Sequence, residues 1–362
     1  MNLKNEKVVR AFFDIADYWL SLGVDGFRLD AIRYAMEEGP DPNTADTQAT
    51  IDFWTRFSEH VRASYPNALL VGEAWVKLDV AARYGADGKG LGSVFDFDFG
   101  SIVTELLNGE HVRTADFGSA ESSNSEKGRD ALWANLEERN RANSLTYFSP
   151  FLSNHDGARV MHSLGDNATK AKVAASLLLT SPGPAYLYYG EEIGLSQPND
   201  KLHQYRRSPM QWDESWASGF SGSKSLWLDD PKHFPWLADH EAWWQKFWWK
   251  QKGDGRSVAS QIKNKTSILS TYKSLIGIRN EYPVFRNPAE IRYYANAHPN
   301  VWIAEYRNGD ESRWVLINLN TDASVETEVP SSLQGAHIEL ISGRQVIVGR
   351  KLSVEPGKIT IF

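Results

Sequence analysis

The sequence predicts an α/β fold: a parallel sheet of about five strands of the barrel kind, followed by a small antiparallel β-sandwich. Three observations carry this. Apolar runs of strand length alternate with amphipathic segments of helix length over the first 190 residues. Polar residues stand at the C-terminal tips of those strands, where a parallel α/β barrel builds its active site. From residue 287 the alternation gives way to β runs joined by a tight-turn signal.

In order, residues 7–22 place Val8, Phe12, Ile15, Trp19 and Leu22 in a helical stripe, and Gly23 is a natural C-terminal stop. Val24–Leu29 reads as a strand with Asp30 at its end. Residues 46–65 read as a helix broken by Pro66-Asn67, and Ala68–Gly72 as a strand ending in Glu73. Val94–Phe97 and Thr146–Leu152 repeat the pattern, the latter running into Ser153-Asn154-His155-Asp156. Lys170–Leu179 is helical, and Ala185–Tyr189 is the fifth expected strand, before Gly190-Glu191-Glu192. A closed barrel of this kind takes eight strands, so five leave it incomplete. A Trp-rich insertion spans about 196–265, the helix Ser267–Asn280 closes the α/β part, and Pro283–Pro288 reads as a boundary. The expected domains are therefore 1–286 and 287–362. In the second, Val301–Tyr306 and Trp314–Leu319 flank a turn containing Asn308-Gly309.

Composition narrows the function. A net charge of −7 over 362 residues argues against general nucleic-acid binding, which needs a basic face. The absence of cysteine excludes disulfides, thiolate catalysis and cysteine-zinc sites. The longest apolar run, around Ala174–Leu179, is far short of the roughly 20 residues of a membrane helix. The start MNLKNEKVV has no apolar stretch of the signal-peptide kind. Of 14 Trp, eight fall between Trp212 and Trp249, and flat rings suit the apolar faces of sugars as well as cores. A small-molecule or carbohydrate binder is favoured.

The strand tips carry the chemistry. Asp30, Glu73 and Asp156 are carboxylates ending three separate strands. Arg28 and Asp30 point to one face of their strand, and a cation there holds Asp30 ionised, as a nucleophile requires. Glu73 lies between the apolar run Leu69-Leu70-Val71 and Trp75, a setting suited to a proton donor. One nucleophilic and one proton-donating carboxylate, roughly 5–5.5 Å apart, are the equipment of a retaining glycosidase. A single tip carboxylate often does no more than solvate a loop end; three, with Arg28 and His155 beside them, form a pattern.

GFRLDA (26–31), GEAW (72–75) and FLSNHD (151–156) resemble three sequence regions of the α-amylase family of glycoside hydrolases. YYGEEIGL (188–195) and RRSPMQWDES…GFS (206–221) resemble two more, as found in bacterial α-amylases and α-glucosidases. The resemblance covers nearly the whole chain, with its motifs in order. It implies that Asp30 is the nucleophile, Glu73 the general acid/base and Asp156 the third carboxylate, with Arg28 orienting the nucleophile and His155 binding sugar hydroxyls in subsite −1. It implies a two-step reaction through a glycosyl-enzyme with the α configuration retained, on an incomplete (β/α)8 TIM-type barrel with a C-terminal β-sandwich. Trp75, Arg207 and Trp212 are candidate sugar contacts.

Two departures matter. The family has an earlier strand ending in Asp, with a nearby Asn-His pair, and nothing of that kind precedes residue 24. Met1-Asn2-Leu3 resembles the end of the loop domain that follows the third barrel strand, so an N-terminally shortened barrel is expected. Tyr34 stands where many members have a histidine that joins a calcium site and contacts the sugar; it is kept as a candidate sugar contact. The sequence itself calls for no cofactor, and this departure argues against the calcium that the family implies. No metal ligands are assigned.

A barrel short of strands has open edges, so a homo-oligomer covering them is expected. The partner is an α-glucan such as starch or maltooligosaccharides, with no nucleic acid and no membrane. The resemblance implies a secreted or periplasmic bacterial parent. The main reading is retaining hydrolysis of α-1,4-glucosidic bonds. The alternatives are an α-glucosidase or transglycosidase of the same family, and an inactive fragment that binds α-glucan or self-assembles. Trp243-Trp244 and Trp248-Trp249 have i, i+4 and i, i+5 spacing, so two rings share a helix face, which suits packing or a starch platform. His240-Glu241 lacks the second histidine of a zinc motif, and Gly85–Gly92 lacks the ending of a phosphate loop. Glu191-Glu192 lies at a strand tip with no role assigned.

Overall fold

The computed structural model describes residues 1–40, 43–109, 128–142, 145–197, 203–222 and 255–362. The chain divides into two compact units, one of Met1–Ile102, His111–Phe151 and Pro182–Ala185, the other of Val103–Glu110, Leu152–Ser181 and Tyr186–Phe362.

The first unit holds helix α1 (Glu6–Ser21), strand β1 (Gly26–Leu29), α2 (Gln48–Ser64), β2 (Leu69–Gly72), α3 (Leu78–Ala82), β3 (Ser93–Asp96), the start of α4 (Phe97–Asn108), α5 (Gly128–Arg141) and β4 (Phe148–Pro150). The four strands form one parallel sheet in the order β1-β2-β3-β4. Caps set the helix starts: the Asn5 side chain accepts from Lys7 N–H, and Thr47 Oγ1 from Thr50 N–H. Helix α2 buries Phe53, Trp54, Phe57 and Val61. The rings of Phe12 and Phe13 pack on Phe57, each at 5.4 Å, and Trp54 Nε1 donates to Ile32 O at 2.8 Å.

Register brings the strand ends level: Leu29 pairs with Gly72, Gly72 with Val94, and Asp96 with Pro150. A side chain at Gly72 would force its neighbours to shift, because a Cβ there would lie 2.6 Å from Ile32 Cδ1 and 2.8 Å from Leu91 Cδ1. Gly26 is a second such point, with φ +151°, where a Cβ would lie 2.0 Å from the Leu69 carbonyl oxygen.

Two expectations need correction. The α1 stripe is only partly covered: Val9, Ala16 and Leu20 are the buried residues, whereas Ile15, Trp19 and Leu22 are about half exposed, at 57, 48 and 60%. Ala185–Tyr189 is no strand and carries one isolated bridge at Tyr186. Pro182 and Pro184 supply no N–H in the approach, and the Tyr189 carbonyl is taken by Arg159 Nη1 at 2.8 Å instead of a strand neighbour. The parallel sheet therefore has four strands among the described residues, not five.

In the second unit, α6 (Val160–Ser163), α7 (Ala168–Thr180), α8 (His203–Arg206) and the helices Val258–Gln261 and Ile268–Glu281 precede the antiparallel strands. Helix α7 is capped by Asn167 and buries Ala171 and every residue from Val173 to Thr180. Arg279 donates to the Leu179 and Ser181 carbonyls at 2.8 and 2.7 Å, satisfying backbone acceptors at the α7 C-terminus. Strands β5 (Glu290–Tyr293), β6 (Val301–Asn308), β7 (Glu311–Asn318) and β12 (Ile359–Ile361) make a four-stranded sheet in the order β12-β7-β6-β5. Two two-stranded antiparallel sheets, β8 (Val325–Glu328) with β11 (Lys351–Val354) and β9 (Gly335–Glu339) with β10 (Arg344–Val348), complete the antiparallel part. The β6–β7 turn is the two-residue loop Gly309-Asp310, with Gly309 at φ +58° as a tight hairpin requires. Ile303, Leu316, Val325 and Leu333 share one core, while Trp302 and Tyr306 are buried on the other face of β6.

The Trp pairs 243-244 and 248-249 and His240-Glu241 lie outside the described residues. Among the described residues no helix is long and apolar enough to cross a membrane.

Candidate active site

In the first unit the tips of β1 and β2 bring Arg28, Asp30 and Glu73 together. Arg28 Nη1 bonds Asp30 Oδ1, and its Nη2 lies 2.8 Å from Glu73 Oε1. One guanidinium thus spans two carboxylates, holding them within its own reach. The two differ in setting: the Asp30 side chain is 76% exposed and that of Glu73 11%. Glu73 Oε2 also accepts from the Ala31 N–H at 3.3 Å. Ala31 itself lies in the left-handed region, at φ +45°, unusual for a residue other than glycine. Strain of this kind persists where neighbouring contacts over-determine it; here Glu73 N–H donates to Leu29 O at 2.9 Å and Ile32 N–H to Glu73 O at 3.1 Å.

Trp75 is half-buried with its ring 4.5 Å from Phe97. Tyr34 is half exposed, with the Arg33 guanidinium 5.5 Å above its ring. The tip of β3 is occupied differently. Asp96 is fully buried, accepts from Asp98 and Phe99 N–H at 3.0 and 3.1 Å, and is gripped by Arg139 Nε at 2.9 Å. It caps α4 and anchors α5, which is a structural task.

The second unit contains a separate cluster on the Ser153–Asp156 segment. The Asn154 side chain accepts from Asp156 and Gly157 N–H at 2.9 and 2.7 Å, a local turn that fixes Asp156. His155 Nε2 lies 3.1 Å from Asp156 Oδ2, and Arg207 Nη2 2.8 Å from Oδ1. Arg207 Nε donates to His155 O at 3.0 Å, and Arg206 to Asp156 O. Trp212 is half exposed. Sequence reasoning found Arg207 but missed Arg206 and Asn154, although adjacency to Arg207 and the Asn-x-x-Gly spacing were available signals.

Glu191 is the buried titratable group of this unit. Its Oε2 accepts from Ser153 Oγ at 2.9 Å and its Oε1 from Tyr272 OH at 2.8 Å. Burial pushes its carboxyl from the usual 4.5 up to about 7, against the pull of those two donors. A carboxyl that holds its proton more tightly folded than unfolded makes stability fall as pH rises from about 4.5 through about 7. Glu191→Gln, uncharged throughout, is expected to flatten that slope, with a higher urea midpoint than the unaltered chain at pH 8 and little change at pH 4. Identical slopes in both proteins would contradict it.

Calcium takes six to eight oxygen ligands. Among the described residues no group of three or more His, Cys, Asp or Glu is placed to hold a metal. No step below is routed through a metal.

Paired carboxylates bridged by arginine at the C-terminal tips of a parallel sheet have the form of a glycoside hydrolase centre. The family model described as "Alpha amylase, catalytic domain" matches residues 1–288, and the chain belongs to the α-amylase family. It is 27% identical to Alpha-amylase 3 of Dictyoglomus thermophilum, over 88% of this chain and 55% of that protein. It is 26% identical to Probable oligo-1,6-glucosidase 3 of Bacillus subtilis, over 99% of this chain and 66% of that one. Among solved structures, the α-amylase from H. orenii superposes with a TM-score of 0.72 at 28% identity, covering 99% of this chain and 65% of the other. The chain thus spans about half to two-thirds of the length of these relatives.

Proposed function

We propose that this protein hydrolyses α-1,4-glucosidic bonds in starch-like α-glucans with retention of configuration. The observation that carries the reading is the Arg28 bridge between Asp30 and Glu73. Asp30, exposed and paired with a cation, attacks the anomeric carbon. Glu73, shielded beside it, gives its proton to the leaving oxygen and then takes one from the hydrolytic water. Asp156 is the third carboxylate, binding sugar hydroxyls with His155 and Arg207, while Trp75, Tyr34 and Trp212 are sugar contacts. The four-stranded sheet is read as this chain's share of a (β/α)8 barrel, with residues 287–362 as its C-terminal domain. The test is reducing-sugar release from soluble starch, with the anomer formed first identified by NMR: α supports the reading, β overturns retention. A second reading, cleavage of α-1,6 bonds, is favoured by the likeness to an oligo-1,6-glucosidase; isomaltose against maltotriose as substrate separates the two.

We also propose that the chain self-associates through the uncovered stripe of α1. Ile15, Trp19 and Leu22 are apolar and half exposed, and among the described residues β1 is an edge of its sheet. Light scattering is expected to give a multiple of the 40.8 kDa chain mass, and Trp19→Lys to reduce it. A monodisperse monomer would set the proposal aside.

A further inference from the structure

The loops that follow β1 and β2 are laced together beyond their catalytic candidates. Two laces are the backbone bonds between Leu29, Ile32 and Glu73 described above. The third is a side chain: Arg33 Nη1 donates to the Trp75 carbonyl at 3.0 Å. Arg33 also donates to Asp46, with Nε 2.9 Å and Nη2 2.7 Å from Oδ2. Asp46 Oδ1 accepts from Tyr84 OH at 2.7 Å, and Asp46 N–H donates to the Arg33 carbonyl at 2.9 Å. The Arg33 and Asp46 side chains are only 21 and 14% exposed, and Tyr84 is fully buried. Asp46 itself sits at φ +53°, a second non-glycine residue in the left-handed region.

We propose that Arg33, braced by Asp46 and Tyr84, is a positioning residue that holds the Glu73 loop in register with Asp30. The segment from Glu73 to Trp75 is fastened at its far end twice, through the Trp75 carbonyl by Arg33 and through the Trp75 ring by Phe97. Its near end then presents the Glu73 carboxyl to Arg28 and to the Ala31 N–H. Arg33 follows Asp30 by three residues, so the same short turn carries the nucleophile candidate and the brace. The task suits arginine, whose planar fork serves Asp46 along one edge while another N–H reaches a carbonyl; a lysine ammonium is a single point. Arg33 touches no reacting atom in this scheme and acts through Trp75.

The inference rests on Glu73 acting as the acid, and leaving-group dependence tests both separately. A dinitrophenyl α-glucoside departs without protonation, whereas a maltooligosaccharide leaves only when its oxygen is protonated. General acid catalysis contributes typically about 10²–10⁴-fold. Arg33→Lys is expected to lower kcat/KM on maltotriose by about 10- to 100-fold, less than the full effect of a lost general acid, and on the aryl glucoside by less than about threefold. Tyr84→Phe, which removes one contact to Asp46 and keeps the ion pair, is expected to show the same split with a smaller loss, and serves if Arg33→Lys does not fold. Equal losses on both substrates would reduce Arg33 to a general stabiliser and overturn the proposal. Glu73→Gln is the control: absence of the split there overturns the acid assignment, and an unaltered chain inactive on both substrates overturns the proposed hydrolysis on which the inference rests.

Discussion

Asp30→Asn is expected to lower reducing-sugar release from soluble starch by about a thousandfold or more, with the urea midpoint of the protein nearly unchanged. The loss follows from chemistry: an amide oxygen of equal size forms no glycosyl ester, so the first step has no nucleophile. The preserved stability follows from the setting. The Asp30 side chain is 76% exposed and its partner Arg28 is 35% exposed. An exposed ion pair contributes about 0–1 kcal/mol, and Arg28 retains Glu73 at 2.8 Å. Starch hydrolysis and equilibrium unfolding, measured on the same preparation, separate the two effects. Activity that survives the change would move the nucleophile elsewhere. A collapse of stability would make Asp30 a structural residue.

Arg139→Met is expected to do the reverse, destabilising the first unit by about 3–5 kcal/mol, because a buried carboxylate is left without its cation. Arg139 and Asp96 are both 0% exposed, with Arg139 Nε and Nη2 at 2.9 and 2.5 Å from Asp96 Oδ2. Asn135 Nδ2 adds a contact at 3.2 Å, too little to replace a guanidinium. The double change Asp96→Asn with Arg139→Met removes the orphaned charge and is expected to recover part of the loss, leaving the α4 cap partly served by the amide oxygen. Urea midpoints of the two single variants and the double variant close this cycle. Additive losses would mean that the two side chains are not coupled.

These two aspartates show what could be read in advance. Both stand at the C-terminal end of a short apolar run, and residue type at a strand tip does not distinguish them. Asp30 carries a local signal, because Arg28 two residues earlier lies on the same face of β1 and pairs with it. Asp96 has its partner 43 residues away on α5, and no local pattern announces a buried ion pair. Arg33 was equally silent: Asp46 lies on the far side of a turn, and only folding brings it and Tyr84 to one guanidinium. The fifth strand was misread for a related reason. Ala185–Tyr189 has the composition of a strand, but it makes only an isolated bridge at Tyr186 and its Tyr189 carbonyl is taken by Arg159.

Short-range physics was therefore determined by the sequence alone: helix caps at Asn5, Thr47 and Asn167, the Gly309 hairpin, and the pairing of Arg28 with Asp30. Each depends on residues within a few positions of one another, so covalent connection supplies the proximity. The tertiary structure decided which carboxylates share a cation, which tip is exposed and which is sealed, and how much of the α1 stripe is covered. Those outcomes depend on register across strands 43 residues apart, as for Glu73 and Asp30, and on which helix settles over a given tip. No local free-energy preference encodes them, because the contacts that decide them exist only once the sheet has formed.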